Sequence, residues 1–175
     1  MSSRQTCQNC GNKDIVTARG EHEFLESGLD NVKLINVEIK KCDNCGEKVV
    51  SIPNPNQLLK VIGEQVILKP NRLSAPEIKF LRKNIYLKIQ EFAQIIGVSR
   101  VTVSRWENKH SKPTASEDRL IRMVYTQYAN VDESVEKRLK EMFREEISEE
   151  IGEYIFSCNV YPKLNCQISI PQAAY

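Results

Sequence analysis

Two CxxC pairs, Cys7-Gln8-Asn9-Cys10 and Cys42-Asp43-Asn44-Cys45, are the residues of this chain whose type and spacing can do chemistry. Each pair turns two thiolates toward one point, and two such pairs close a tetrahedral four-sulfur shell around a single Zn²⁺. Gly11 and Gly46 follow the pairs directly, which lets the backbone turn so that its amides point back at sulfur. A thioredoxin-like redox pair would come once and beside a βαβ pattern, and neither condition holds. Four thiolates leave no open coordination position. Cys7, Cys10, Cys42 and Cys45 are therefore expected to bind a structural zinc that supports the fold and performs no catalysis.

The knuckles need a small framework, and the 31 residues between them suit a β-module. Ile15-Val16-Thr17-Ala18 and Glu23-Phe24-Leu25 read as short strands broken by Gly20 and by Ser27-Gly28. From Lys33 to Lys40 the pattern alternates, with Ile35, Val37 and Ile39 predicted on the buried face of a strand that leads into the second knuckle. Pro53-Asn54-Pro55-Asn56 ends this unit, because two prolines in three residues stop a helix or a central strand. A short helix follows over Gln57–Leu68, weakened by Gly63. After the break at Lys69-Pro70-Asn71-Arg72, Ser74 and Glu77 form a capping-box signature, opening a helix with Ile78, Leu81 and Ile85 inward.

The second chemical signal lies in residues 88–108. A helix that buries Ile89, Phe92, Ala93 and Ile96 meets Gly97, whose freedom at positive φ suits a tight turn between two helices. Ser99 can N-cap the next helix, which turns Val103 and Trp106 inward and Arg100, Val101, Thr102 and Arg105 outward. That is a helix-turn-helix with its second helix shaped for the major groove. An arginine fork can donate two bonds to guanine, and threonine or valine can touch a thymine methyl. Gln90, Ser99, Ser104 and Lys109 stand where they could bind phosphates and set the register. The alternative is a helical pair used for protein contact. Trp106 reads as core, and His22 and His110 as strand-end and loop residues, away from metal-ligand spacing.

Charge separates along the chain although the total is only +2. Residues 1–70 are neutral, residues 71–128 hold 11 Lys/Arg against 5 Asp/Glu, and residues 129–175 hold 5 against 9. A basic middle argues for a polyanionic partner, with a solvated helical face as the bland alternative. A further helix over 117–128 is expected to bury Leu120, Ile121, Val124 and Tyr125.

Five short helices in this order resemble the Xre-type (phage repressor-like) helix-turn-helix, most specifically through Val-Ser-Arg-Trp-Glu-Asn at 103–108, Lys-Pro at 112–113, Ser116 and Leu-Ile-Arg at 120–122. With the N-terminal CxxC…CxxC module, the chain over residues 1 to about 128 resembles the MqsA (YgiT-type zinc finger) antitoxin family. The resemblance implies zinc on the four cysteines and a homodimer that binds the palindromic operator of its own genes in double-stranded DNA. It also implies a protein toxin bound through the N-terminal zinc domain. By position Arg105 matches the family's base-reading arginine. Where the family carries a base-reading asparagine this chain has Val101, and Ile89 replaces a common glutamine, so the operator should differ and Arg100 could share the readout.

Beyond that region, Val131, Val135, Leu139, Met142, Phe143, Ile147, Ile151 and Tyr154 recur at helical steps, predicting an amphipathic helix over 131–156. It would pack on its own domain or serve a dimer or partner. Strand-like residues follow at 158–161 and 167–170. Cys158 and Cys166 are expected to be buried fillers, since double CxxC pairs suit a reducing interior, with a disulfide or a shared metal site as the alternative.

The expected fold is α+β: a zinc-bound β domain over 1–56, a linker with a short helix over 57–73, an all-α domain over 74–128, and an amphipathic helical C-terminal extension over 129–175. The β and helical parts are expected to have separate cores. No signal peptide or spanning segment is visible, which favours the cytoplasm. No HExxH, GxSxG, P-loop or paired-acid motif supports an enzyme. The expected function is an antitoxin that regulates transcription. Rival readings are a stand-alone zinc-containing regulator and a metal or oxidation sensor, the latter weakened by the complete four-sulfur shell.

Overall fold

The structure is a computed structural model that describes residues 6–144 and 154–169. Strand β1 (Ile15–Glu23) pairs antiparallel with the long β2 (Val32–Cys42), placing Ile15 opposite Cys42. Gly20 does not end β1, which continues past it and shifts register before His22. β3 (Lys48–Ser51) pairs antiparallel with residues 38–41 of β2. Five helices follow: α1 (Pro55–Ile67), α2 (Ala75–Asn84), α3 (Ile89–Ile96), α4 (Arg100–Glu107) and α5 (Ala115–Ala129). α6 (Glu133–Met142) leads toward a hairpin of β4 (Ile155–Asn159) and β5 (Asn165–Ser169).

That hairpin returns to the first sheet. β4 runs parallel to residues 32–35 of β2, so the five strands form one sheet. Asn31 and Asn36 fix the join: their side-chain amides donate to the carbonyls of Tyr154, at 2.8 Å, and Tyr161, at 2.6 Å. Parallel neighbours require a crossover, and here the whole helical part supplies it. The amphipathic helix therefore covers only part of 131–156. Residues 155–158 change to period-two burial, with Phe156 and Cys158 inward, so the chain is extended there. Ile147, Ile151 and Ile170 of the sequence reading lie outside the described residues.

The strand alternation in β2 also differs from expectation. Asn36 sits at φ 57°, in the left-handed region, and this shifts the pleat so that Leu34 and Val37 are fully buried while Ile35 and Ile39 are only half-buried. Cys158 and Cys166 are directly opposed in the hairpin and form a disulfide, which corrects the expectation of two free buried thiols. Their pairing follows from hairpin register, which sequence spacing alone leaves undetermined.

The buried residues form one contiguous cluster rather than two cores. Leu34 and Val37 of β2, Leu58 and Ile62 of α1 and Phe156 of β4 belong to the same cluster as Phe92, Trp106 and Ile121. α1 is therefore packing material between sheet and helices. Gly63 is needed there, because a Cβ at this position would lie 2.0 Å from the Tyr125 hydroxyl. On α5, Ile121, Val124 and Tyr125 are buried as expected, but Leu120 is 37% exposed, because the helix turns that face outward together with Met123.

A buried ion pair joins the layers. Arg122, fully buried, donates through Nε to Asp118 Oδ2 at 2.7 Å and through its terminal nitrogens to the carbonyls of Ile67, Lys69 and Asn71. Asp118 Oδ1 accepts from the Leu73 amide at 2.7 Å. The connector between α1 and α2 is thus clamped onto α5. Arg122→Ala should destabilise the chain by about 3–5 kcal/mol, because it strands a buried carboxylate and three carbonyls. Urea unfolding checks this, and a loss well under 1 kcal/mol would contradict it.

Candidate metal centre and nucleic-acid interface

The two knuckles are built alike. In each, the glycine amide donates to the carbonyl of the first cysteine, Gly11 to Cys7 at 2.9 Å and Gly46 to Cys42 at 3.0 Å. Both glycines hold φ near 72°, which a side chain would disfavour. The first knuckle feeds β1 and the second ends β2, so strand pairing brings them together, and the Asp43 amide donates to the Asp14 carbonyl at 3.1 Å across the gap. All four sulfurs lie within 4.8 Å of one another, with Cys7–Cys45 and Cys10–Cys42 at 3.6 Å. A tetrahedron with metal–sulfur bonds of about 2.3 Å has edges of about 3.8 Å, so the cluster fits a zinc ion. Cys7 and Cys42 are buried, and Cys10 and Cys45 face out.

As free thiols, Cys10 and Cys45 shift in opposite directions. The Asn12 amide, then Asn44, lowers Cys10 to about 6. At Cys45 the Glu47 amide pulls the same way, but burial and the other three sulfurs outweigh it and push the thiol up to about 11. A metal must displace that proton.

The second site lies on α3 and α4, two helices of eight residues joined through Gly97 at φ 81°. Ser99 caps α4, its hydroxyl accepting from the Thr102 amide at 3.0 Å. Val103 and Trp106 enter the core, while Arg100, Val101 and Arg105 are exposed, and Thr102 and Ser104 are half-buried beside them. Gln90 is exposed at the start of α3, and Lys109 is exposed just past α4 at φ 63°. The eight residues singled out as DNA contacts are thus placed on α4, on its N-cap, just past its end and at the start of α3.

Sequence reasoning missed the pair that holds α4 in place. Arg82 of α2 grips Glu107 at the end of α4 with two bonds, 2.6 and 2.9 Å, and donates to the Leu87 carbonyl at 2.8 Å. These partners are 25 residues apart and carry no local signal. Bidentate geometry and near-complete burial make the contact stiff. Of the cations in the basic stretch, Arg82 and Arg122 are consumed by buried carboxylates. Arg100 and Arg105 on α4, and Lys109 and Lys112 just past it, are exposed.

The family model described as the antitoxin component of a bacterial toxin-antitoxin system, MqsA, matches residues 5–136. The chain belongs to the MqsA antitoxin family. Three curated relatives, each named "Uncharacterized HTH-type transcriptional regulator YiaG", come from Escherichia coli strains K12, O6:H1 and O157:H7. Each is 38% identical over 61 residues, which is 35% of this chain and 64% of the relative. The chain thus spans just under two thirds of these relatives. No solved structure matches it. Among the described residues no helix is long and apolar enough to cross a membrane. Family membership fits the four-cysteine cluster as a metal site.

Protein purified under reducing conditions should carry one zinc per chain by elemental analysis, and Cys42→Ser should lose most of it. Coordination needs four thiolates, so affinity should fall as pH falls below neutrality and recover when it is restored. Protein that retains no metal at neutral pH would contradict the assignment.

Proposed function

We propose that this MqsA-family chain is a sequence-specific DNA-binding repressor of its own operon, with an Xre-type helix-turn-helix over residues 74–128 and α4 as the reading helix. The observation that carries the reading is the division of α4. One side is locked into the core through Val103 and Trp106 and tied by Arg82–Glu107, and the other presents Arg100, Val101 and Arg105 to solvent, with Thr102 half-buried beside them. A reading helix needs that combination, because base discrimination demands side chains on a rigid support.

Arg105 donates its fork to a guanine, and Val101 and Thr102 meet thymine methyls. Gln90, Ser99, Ser104 and Lys109 take phosphates and set the register. Arg100 shares base reading at the start of the helix. Four reading side chains give limited specificity, so the protein acts as a dimer on a palindrome, which doubles the contacts. Exposed Leu120, Met123 and Tyr128 on α5 support a second copy there. The zinc holds the N-terminal knuckles, leaving β1 and the face around it to bind a protein toxin. The protein works in the cytoplasm, beside its operator. The YiaG relatives, named as transcriptional regulators, support a second reading, a regulator without a toxin. Affinity purification with the product of the neighbouring gene separates the two.

Arg105→Ala should cost about 1–3 kcal/mol of specific binding and relax one base position, whereas Lys109→Ala should weaken all duplexes alike. Footprinting and binding isotherms at fixed salt decide this. An Arg105→Ala protein with unchanged sequence preference would refute α4 as the reading helix.

A further inference from the structure

A cleft of about 900 Å³ opens beside the end of α4, between the helices and the strand β4 end of the sheet. One wall is Trp106 with the loop through Lys109, Lys112 and Pro113. The floor is the start of α2 from Leu73 to Ile78, and the far wall carries Asn31 and Tyr154. We infer that this cleft is a binding site for a small amphipathic organic anion, an aromatic body bearing a carboxylate or sulfonate, whose binding opposes that of DNA.

The walls are fixed in advance. Arg72 donates to the Pro113 carbonyl at 2.7 Å, which ties the loop after α4 to the floor. Asn31 holds the Tyr154 carbonyl at 2.8 Å, and the Tyr154 hydroxyl donates to Asn71. At the floor Lys69 and Glu77 form an ion pair at 2.6 Å, each side chain under 5% exposed, so neither charge is open to a ligand. The start of α2 is not the anion site either, because the Glu77 carboxylate already takes the Ser74 amide at 2.6 Å. Beyond that pair the lining carries Arg72, which holds the Pro113 carbonyl, exposed Lys109 and Lys112, and the exposed carboxylate of Asp30, so positive charge prevails. Half-buried Tyr154 and Pro76 offer apolar surface, while buried Trp106 and Pro113 back the lining. Pockets of this size that are mostly apolar, with a few convergent polar groups, hold small ligands. The chemistry favours a flat body against Tyr154 with its anionic end at the lysine ammonium groups.

The effect on DNA follows from Lys109 and rests on the proposed function. An ammonium engaged by a ligand anion within the cleft cannot serve a phosphate as well, so ligand and operator compete. Binding to the cleft stands apart from that reading. Linkage makes the competition reciprocal.

Trp106 is the chain's single tryptophan, so it reports on this wall alone. The experiment titrates 8-anilinonaphthalene-1-sulfonate into the full, metal-loaded chain and follows energy transfer from Trp106. Saturable one-to-one binding is expected. Lys112→Glu, which changes an exposed loop residue, and Ala75→Phe, which fills the floor, should each weaken it by roughly tenfold or more. Circular dichroism confirms that both variants fold. Saturating probe should also lower affinity for a duplex by roughly fivefold or more. Absent saturation, or binding that neither variant alters, overturns the site. Saturable, variant-sensitive binding with unchanged duplex affinity overturns the competition and keeps the site. A chain that binds no duplex specifically even without probe refutes the DNA reading instead.

Discussion

A guanidinium in an apolar core is tolerated only when its N–H groups are engaged, and Arg122 meets this by gathering partners from three parts of the chain. Asp118 lies one turn away on α5, while the carbonyls of Ile67, Lys69 and Asn71 come from the end of α1 and the connector beyond it. Asp118 in turn holds the Leu73 amide, immediately before α2 begins. The connector is therefore held along its length by α5. Through it the sheet side and the helical side share a core, and α2 is placed to send Arg82 to Glu107 at the end of α4. The orientation of α4 thus traces back to one buried pair far from its exposed face.

The metal knuckles and the C-terminal hairpin act on the same sheet from opposite ends. Strand pairing aligns Ile15 with Cys42 at the knuckles, and β4 seals the start of β2 at Val32–Ile35. A β-module of this size lacks the area to fold unaided, and here it has both a four-sulfur cluster that fits a metal and a share of the helical core. Metal loss would therefore be felt beyond the knuckles, since Leu34 and Val37 pack in the same cluster as the helices.

The elements with strong local chemistry were legible in the sequence. The four cysteines, the Ser74–Glu77 box, the Gly97 turn and the Ser99 cap each carry their own signal, and the structure places all of them as read. What could not be read depends on distant partners. Asn36 adopts positive φ and shifts the pleat of β2, and its side chain then binds Tyr161, 125 residues away. Ile155 and Phe156 sit on a strand whose partner β2 is more than a hundred residues earlier, so helical periodicity read to residue 156 runs into β4, whereas Cys158 and Asn159 read as strand-like and are so. Gly63 reads as a weakness in a helix, and its reason, Tyr125 lying over it, comes from 62 residues away. The residues proposed to touch DNA share a face by helical spacing, and spacing fixes which face a side chain shares without fixing what meets that face.

The central claim is that this metal-pinned, single-core chain presents α4 to a specific duplex as a symmetric pair. Enrichment of bound sequences from a random duplex pool, using the full zinc-loaded protein, tests it most directly. The account predicts an inverted repeat whose half-sites lie about one helical turn, or a multiple of it, apart. Recovery of unrelated sequences with no common motif would contradict it.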